Sequence, residues 1–266
     1  MSVASKQRTP KTGWKGRTCD LGRMSFQELL VSYATYPAIQ VYAAIALVAT
    51  VLAVARTEHG GRTALAALSM VLLYPLVEYG LHRYVLHARL LYKSRLTAAL
   101  WKRIHFDHHQ DPHRLEVLFG SLTNTLPLIL ALALPIGWAV DGLTGAAAAL
   151  ASATTLMCLY EFCHCMQHLN VKPKSPFLRR IKQRHMAHHF HDETSNFGIT
   201  SPLIDHLAGT LSDEARGRPR SPTVFNLGYD AEEAKRYPWV AELTGAAPRD
   251  CPPGLRDSLW DKEDRP

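Results

Sequence analysis

Four long apolar runs, separated by short polar punctuation, dominate the chain. They are Ala38 to Ala55, Ala64 to Tyr79, Phe119 to Val140 and Leu143 to Cys163. Each approaches the 20 or so apolar residues that a helix needs to cross a bilayer. The second run contains Ser69 and Pro75 and leads without a break signal into His82 and His87. Pro127 and Pro135 lie in the third run, which leaves a kink or a re-entrant hairpin open there. The fourth is rich in Ala and other small residues, which suits close helix packing in lipid. Arg56 to Arg62, with Gly60-Gly61, reads as a polar turn, and Asp141-Gly142 as a tight one. The pattern predicts an all-α integral membrane protein of about four transmembrane helices under a cytoplasmic helical cap. Ala53-Val54-Ala55 has the look of a signal-peptide cleavage site, but the arm before it is too long and the apolar run exceeds a usual signal core.

The polar remainder falls into three parts. Residues 1–35 form a basic arm carrying Lys6, Arg8, Lys11, Lys15, Arg17 and Arg23. Within it, Ser25 to Tyr33 reads as a short helix, with Ser25 as N-cap and Glu28 three residues on. Residues 36–211 make the membrane-embedded, histidine-rich domain. Residues 212–266 form a polar tail in which 231–244 is predicted to be one amphipathic helix. With four crossings, the arm, the 88–118 connection and everything after His168 share one face. That face carries nearly all the Lys and Arg, so both termini are expected in the cytoplasm. The membrane would be the inner membrane of a bacterium or the endoplasmic reticulum of a eukaryote.

Composition sharpens this reading. The mean hydropathy of −0.09 is low for a membrane protein, but the average hides the segregation of apolar runs from charge. Lys and Arg exceed Asp and Glu by 30 to 23, and the excess flanks the apolar runs. With no nucleic-acid motif in sight, the partner implied is an anionic membrane face. Five cysteines in no framework spacing read as reduced thiols. Cys163 and Cys165 flank His164 and read as small apolar fillers.

Ten of the 14 histidines fall in two windows that repeat one order at an offset of 80 to 82 residues. The first window holds His82, His87, His105, His108 and His109. The second holds His164, His168, His185, His188 and His189. Residues three and four apart share a helix face, so each triplet converges, as do His164 and His168. His82 and His87 are five apart and converge only where the helix end opens or bulges, or else they serve different metals. Neutral imidazole suits iron, zinc, copper and nickel, and ten of them exceed the needs of one ion. Glu78, Asp107, Glu161, Asp192 and Glu193 lie beside the clusters and read as partners that orient ring N–H groups. For Glu78 and Glu161, snorkelling or pairing with an arginine is an equal alternative. His113 and His191 read as outer partners or surface residues, and His59 and His206 as ordinary.

The pattern His82-x4-His87, His105-x2-His108-His109, His164-x3-His168, His185-x2-His188-His189 resembles the membrane fatty acid hydroxylase/sterol desaturase superfamily. Glu78 to His87 and the stretch Asn196-Phe197-Gly198-Ile199-Thr200-Ser201-Pro202-Leu203 are similar to its accompanying motifs. The x4-then-x3 spacing is most similar to the fatty acid 2-hydroxylases, and the resemblance runs from about Ala64 to Thr210. It implies that all ten histidines hold two iron ions, with zinc a substitute in a preparation. It further implies O2, a lipid substrate, and oxygen inserted into a C–H bond of a fatty acyl chain or acyl lipid. Relatives often carry a fused haem electron-carrier domain, for which residues 1–35 are too short. A separate NAD(P)H-linked electron-transfer protein is therefore expected. Sterol or carotenoid oxidation, desaturation or hydroxylation is the alternative within the superfamily. A membrane metal transporter is the alternative outside it, disfavoured by spans nearly free of charge and histidines pooled at one end.

Overall fold

A computed structural model describes residues 19–213 and 219–251. Lys6, Arg8, Lys11, Lys15 and Arg17 of the basic arm, and 252–266 of the tail, lie outside the described residues. Among those described the protein is helical, with one isolated antiparallel bridge between Asp20 and Arg114.

The first helix, α1 (Phe26–Ala34), begins as its sequence dictates. The Ser25 side chain takes the Glu28 N–H, and the Glu28 carboxylate returns to the Ser25 N–H at 2.8 Å. Three stretches are long and apolar enough to cross a membrane: Pro37–Arg56, Gly60–Lys93 and Leu115–His168. The first is α2 (Pro37–Arg56), opened by a proline at its first position, where no N–H is needed. The second begins with α3 (Gly60–Leu81). Within the third lies α7 (Leu122–His168), after short α4 (Arg95–Trp101), α5 (Asp107–Gln110) and α6 (Leu115–Leu118). Leucines and valines on α2 and α3 face outward, among them Val54 at 70% and Leu72 at 69% exposure. Side chains this apolar and this open fit a lipid surround and would be unusual in water.

At 47 residues, α7 is about twice what one crossing needs. Its backbone stays helical past Pro127 and Pro135 and departs only at Asp141 and at Gly142, where φ is 55°. The two arms fold back on each other there. A Cβ on Gly137 would collide with the Gly145 carbonyl, and one on Gly145 with the Gly137 carbonyl. Buried Ala133, Ala146, Ala148 and Ala149 continue this close seam into α2 and α3. Small residues permit that approach, as the Ala-rich fourth run indicated.

Beyond α7 come α8 (Pro176–Phe190) and α9 (Leu203–Ala208), then α10 (Ala231–Arg236) and α11 (Trp239–Thr244). The single helix expected over 231–244 is thus two. Tyr237 leaves the helix at φ −131°, ψ 74°, because the ring of Pro238 crowds the residue before it out of the helical region. The tail is packed: Tyr229 and Val240 join Tyr92, Trp101 and Phe106 in one buried cluster.

Candidate metal centre

Two irregular turns bring the first five histidines together. After α3 the chain widens into a π-helical turn, His82–Leu86, and the His87 N–H reaches the His82 carbonyl at 3.2 Å. That extra residue per turn puts positions five apart on one face. The His82 and His87 rings lie 5.0 Å apart, which an ordinary helix would not permit. A second π-helical turn, Lys102–Phe106, leads into α5 and delivers His105, His108 and His109. His164 and His168 come from the last two turns of α7, and His185, His188 and His189 from α8.

The ten rings sort into sets whose candidate ligand nitrogens lie within 4.8 Å of one another. One set is His108, His164, His168, His185 and His189; another is His82, His87, His105 and His188. His109 joins His188 and His189 in a third, overlapping set. Its Nε2 also lies 3.0 Å from His105 Nε2. Each set therefore mixes the two sequence windows. His108 of the first window completes the second window's set, and His188 of the second completes the first's.

These contacts fit metal ions better than hydrogen bonds. Three ring nitrogens, the Nε2 atoms of His82, His87 and His109, sit 3.0–3.1 Å from His105 Nε2. A ring nitrogen carries one proton or one lone pair, so it serves one such partner, not three. Nitrogens each about 2 Å from a shared ion would lie at roughly this separation. Both nitrogens of His189 and Nε2 of His188 are buried without a partner. Burial also keeps the rings neutral. It pushes His105, His108, His185 and His189 well below the usual imidazole range, and His109 and His188 down to about 3. A neutral imidazole is the form that ligates.

Backbone carbonyls orient several rings. His82 Nδ1–H donates to Phe197 O at 2.5 Å, His188 Nδ1–H to Ser195 O at 2.7 Å, and His109 Nδ1–H to Val224 O at 2.8 Å. A carbonyl only accepts, so each Nδ1 holds the proton and each Nε2 lone pair faces the cluster. The loop that offers Ser195 and Phe197 is pinned from below. Asn196 takes φ 57°, Gly198 leaves no room for a Cβ beside the Ser201 carbonyl, and buried Asp205 accepts from the Phe197 and Gly198 N–H groups.

The acidic neighbours expected to orient rings have other bonds. Glu78 holds the N–H groups of Ile199 and Thr200 and the Thr200 hydroxyl, and so supports the loop rather than a ring. Asp107 pairs with Lys102 at 2.7 Å, and Asp192 accepts from Thr194. Glu161 accepts from the Gly120 N–H at 2.9 Å. The Glu193 carboxylate takes the Thr223 hydroxyl. His191 has a buried Nε2 without a partner, and its carbonyl accepts from Ser221. His113 donates to the His168 carbonyl at 3.1 Å, behind the cluster. Ser195, Phe197 and Val224 escaped the sequence reading because a carbonyl carries no side-chain signature; the Asn196-Phe197-Gly198 motif was the one trace.

A cavity of about 340 Å³ opens at the cluster. His82, His105, His108 and His164 line one end, with Glu78, Glu161, Ser121 and Asn124. From there it runs between α3 and the two arms of α7 to Met70, Leu132, Ile136 and Ala153. From Met70 to His82 is about 18 Å along a helix axis, so the cavity reaches well into the span.

The chain has known relatives. The fatty acid hydroxylase family model matches residues 67–210, and the chain belongs to that family, one of oxidoreductases. It is 32% identical over 147 residues to the ceramide very long chain fatty acid hydroxylase SCS7 of Saccharomyces cerevisiae, covering 53% of this chain and 36% of that protein. It is 29% identical over 146 residues to the fatty acid 2-hydroxylase of Homo sapiens, covering 53% of this chain and 38% of that protein. The chain thus spans little more than a third of these two relatives. A solved structure of full-length scs7p, in which only the hydroxylase domain is visible, superposes with a TM-score of 0.54 at 27% identity. That match covers 76% of this chain and 71% of that one.

Proposed function

We propose that the chain is an O2-dependent di-iron membrane hydroxylase, acting on a C–H bond of a fatty acyl chain or acyl lipid. The observation that carries this reading is the apolar cavity ending on two sets of converging imidazoles. His108, His164, His168, His185 and His189 would hold one ion. His82, His87, His105, His109 and His188 would hold the other. Iron so held supplies oxygen activation, the step that protein side chains cannot perform themselves. The chain's own share is to bind the acyl tail between α3 and α7, keep water from the histidine end, and fix His82, His109 and His188 by their carbonyls.

In this reading the hairpin at Asp141-Gly142 makes two crossings, so that α2, α3 and the two arms give four, with both termini in the cytoplasm. The histidines then sit at the cytoplasmic surface, where a separate NAD(P)H-linked electron-transfer protein delivers two electrons. The similarity to hydroxylases of ceramide and fatty acyl groups supports an acyl substrate, with attack beside the carbonyl as in a 2-hydroxylase. The test is lipid mass spectrometry of cells with and without the gene, under 18O2. Acyl products heavier by one labelled oxygen support the reading. Products that have only lost hydrogen, or an altered sterol or carotenoid pool, would replace it with the other superfamily chemistry. Indistinguishable extracts would remove it.

A further inference from the structure

The two halves of the chain carry a glutamate in matched places, Glu78 before His82 and Glu161 before His164. Both are buried and both line the cavity. They are bonded differently. Glu78 has both carboxylate oxygens engaged by Ile199 and Thr200. Glu161 has one oxygen engaged: Oε1 accepts from the Gly120 N–H, while Oε2 is buried without a partner. Gly120 makes that hold close, since a Cβ there would press on Thr125 at 2.9 Å and on Glu161 Oε1 at 3.1 Å.

A side chain 1% exposed with a free oxygen is an exception that calls for a reason. The cavity offers one. Its far end is apolar at Met70, Leu132, Ile136 and Ala153, and its polar lining gathers at the histidine end, around Glu161, Ser121 and Asn124. An amphiphile gains most by placing its tail in the apolar end and its polar group where a hydrogen bond awaits. We infer that Glu161 is a positioning residue: its Oε2 accepts a hydrogen bond from the polar end of the bound acyl chain, the O–H of a neutral acid or the N–H of an amide. It thereby sets which carbon lies beside His108 and His164. This rests on reading the cavity as an acyl site, and it makes the carbons nearest the polar group the ones presented.

The test uses the full chain in detergent micelles, with palmitic acid and hexadecane as probes and the shift in thermal midpoint as readout. Wild type is expected to gain more from palmitic acid than from hexadecane. Glu161→Gln, which keeps a hydrogen-bonding group in place, should retain the preference. Glu161→Leu should lose about tenfold in relative affinity, the worth of one hydrogen bond, with metal content unchanged. If Glu161→Leu does not fold, Glu161→Asp, which withdraws the carboxyl by one methylene, must weaken the same preference. An undiminished preference in either variant overturns the inference. In turnover, Glu161→Leu should scatter the hydroxyl over neighbouring carbons, and a single unchanged position likewise overturns it. Palmitic acid binding that depends on Glu161 without any hydroxylated product would sink the hydroxylase reading and leave this site standing. Hydroxylation indifferent to Glu161 would do the reverse.

Discussion

His108 and His188 stand at equivalent positions in the two sequence windows, and each completes the other window's set of ring nitrogens. His108 Nε2 lies 3.0 Å from His164 Nε2, and the His188 ring is 4.8 Å from both His82 and His87. The halves are interlocked, and neither set of ring nitrogens is complete without a residue from the other.

Loss of either crossing residue should therefore damage its own ion first. His108→Ala and His188→Ala are each expected to lower bound metal by at least one ion per chain and to cut turnover at least about 100-fold, since even an outer partner is worth 10–100-fold. Elemental analysis beside an activity assay checks this. His59→Ala, at the start of α3, should change neither quantity.

The loop behind the rings should matter although it touches no metal. Glu78→Ala removes the acceptor for Ile199 and Thr200, which set the Phe197 carbonyl against His82. Metal affinity is expected to fall about 10–100-fold, as for other partners standing behind a ligand. Competition with a chelator measures it, and unchanged affinity would show that Phe197 is held by other means.

The hairpin within α7 depends on absent side chains. Gly137→Leu should drive the arms apart and destabilise the chain by about 1–3 kcal/mol or more, the usual cost of overpacking. Thermal unfolding in micelles reads this. A cysteine at position 142 should be reachable by an impermeant thiol reagent only from the side opposite the termini.

Acid should act on the metal-free protein through its histidines. Burial holds the folded-state pKa of His109 and His188 near 3, against 6.5 for an ordinary imidazole. A base with a depressed folded pKa contributes stability that is fully present above the unfolded value. That stability is lost as pH falls from about 6.5 toward 3, because the unfolded chain binds the protons. The metal-free thermal midpoint should drop through that window. Metal should be released in the same direction, since protons compete for the same nitrogens.

Much of this was legible in the chain because its signals are local. Run length gave the apolar helices, Ser25 and Glu28 gave the start of α1, and Asp141-Gly142 gave the turn. The spacing of the histidine windows marked the ten rings that the structure brings together. What stayed hidden depends on contacts far apart in sequence. Nothing near His108 reveals that its set lies around His164 and His185. His82 and His87 met through a π-helical turn, one of two alternatives that the x4 spacing left open. Glu78 and Glu161 look alike in sequence and differ because the Ile199-Thr200 loop reaches one and leaves the other. The break in 231–244 is a lesser case: Pro238 marked it, and the amphipathic pattern across it obscured the mark.

The central claim is that ten neutral imidazoles hold two iron ions at the mouth of an acyl cavity. X-ray absorption at the iron edge, with metal counting on the purified full chain, tests it most directly. The expected result is two irons per chain in a shell of nitrogen donors at about 2 Å, close to the distance imidazole keeps from zinc, thinned by His108→Ala and His188→Ala alike. A single ion, or a first shell dominated by carboxylate or sulfur, would contradict it.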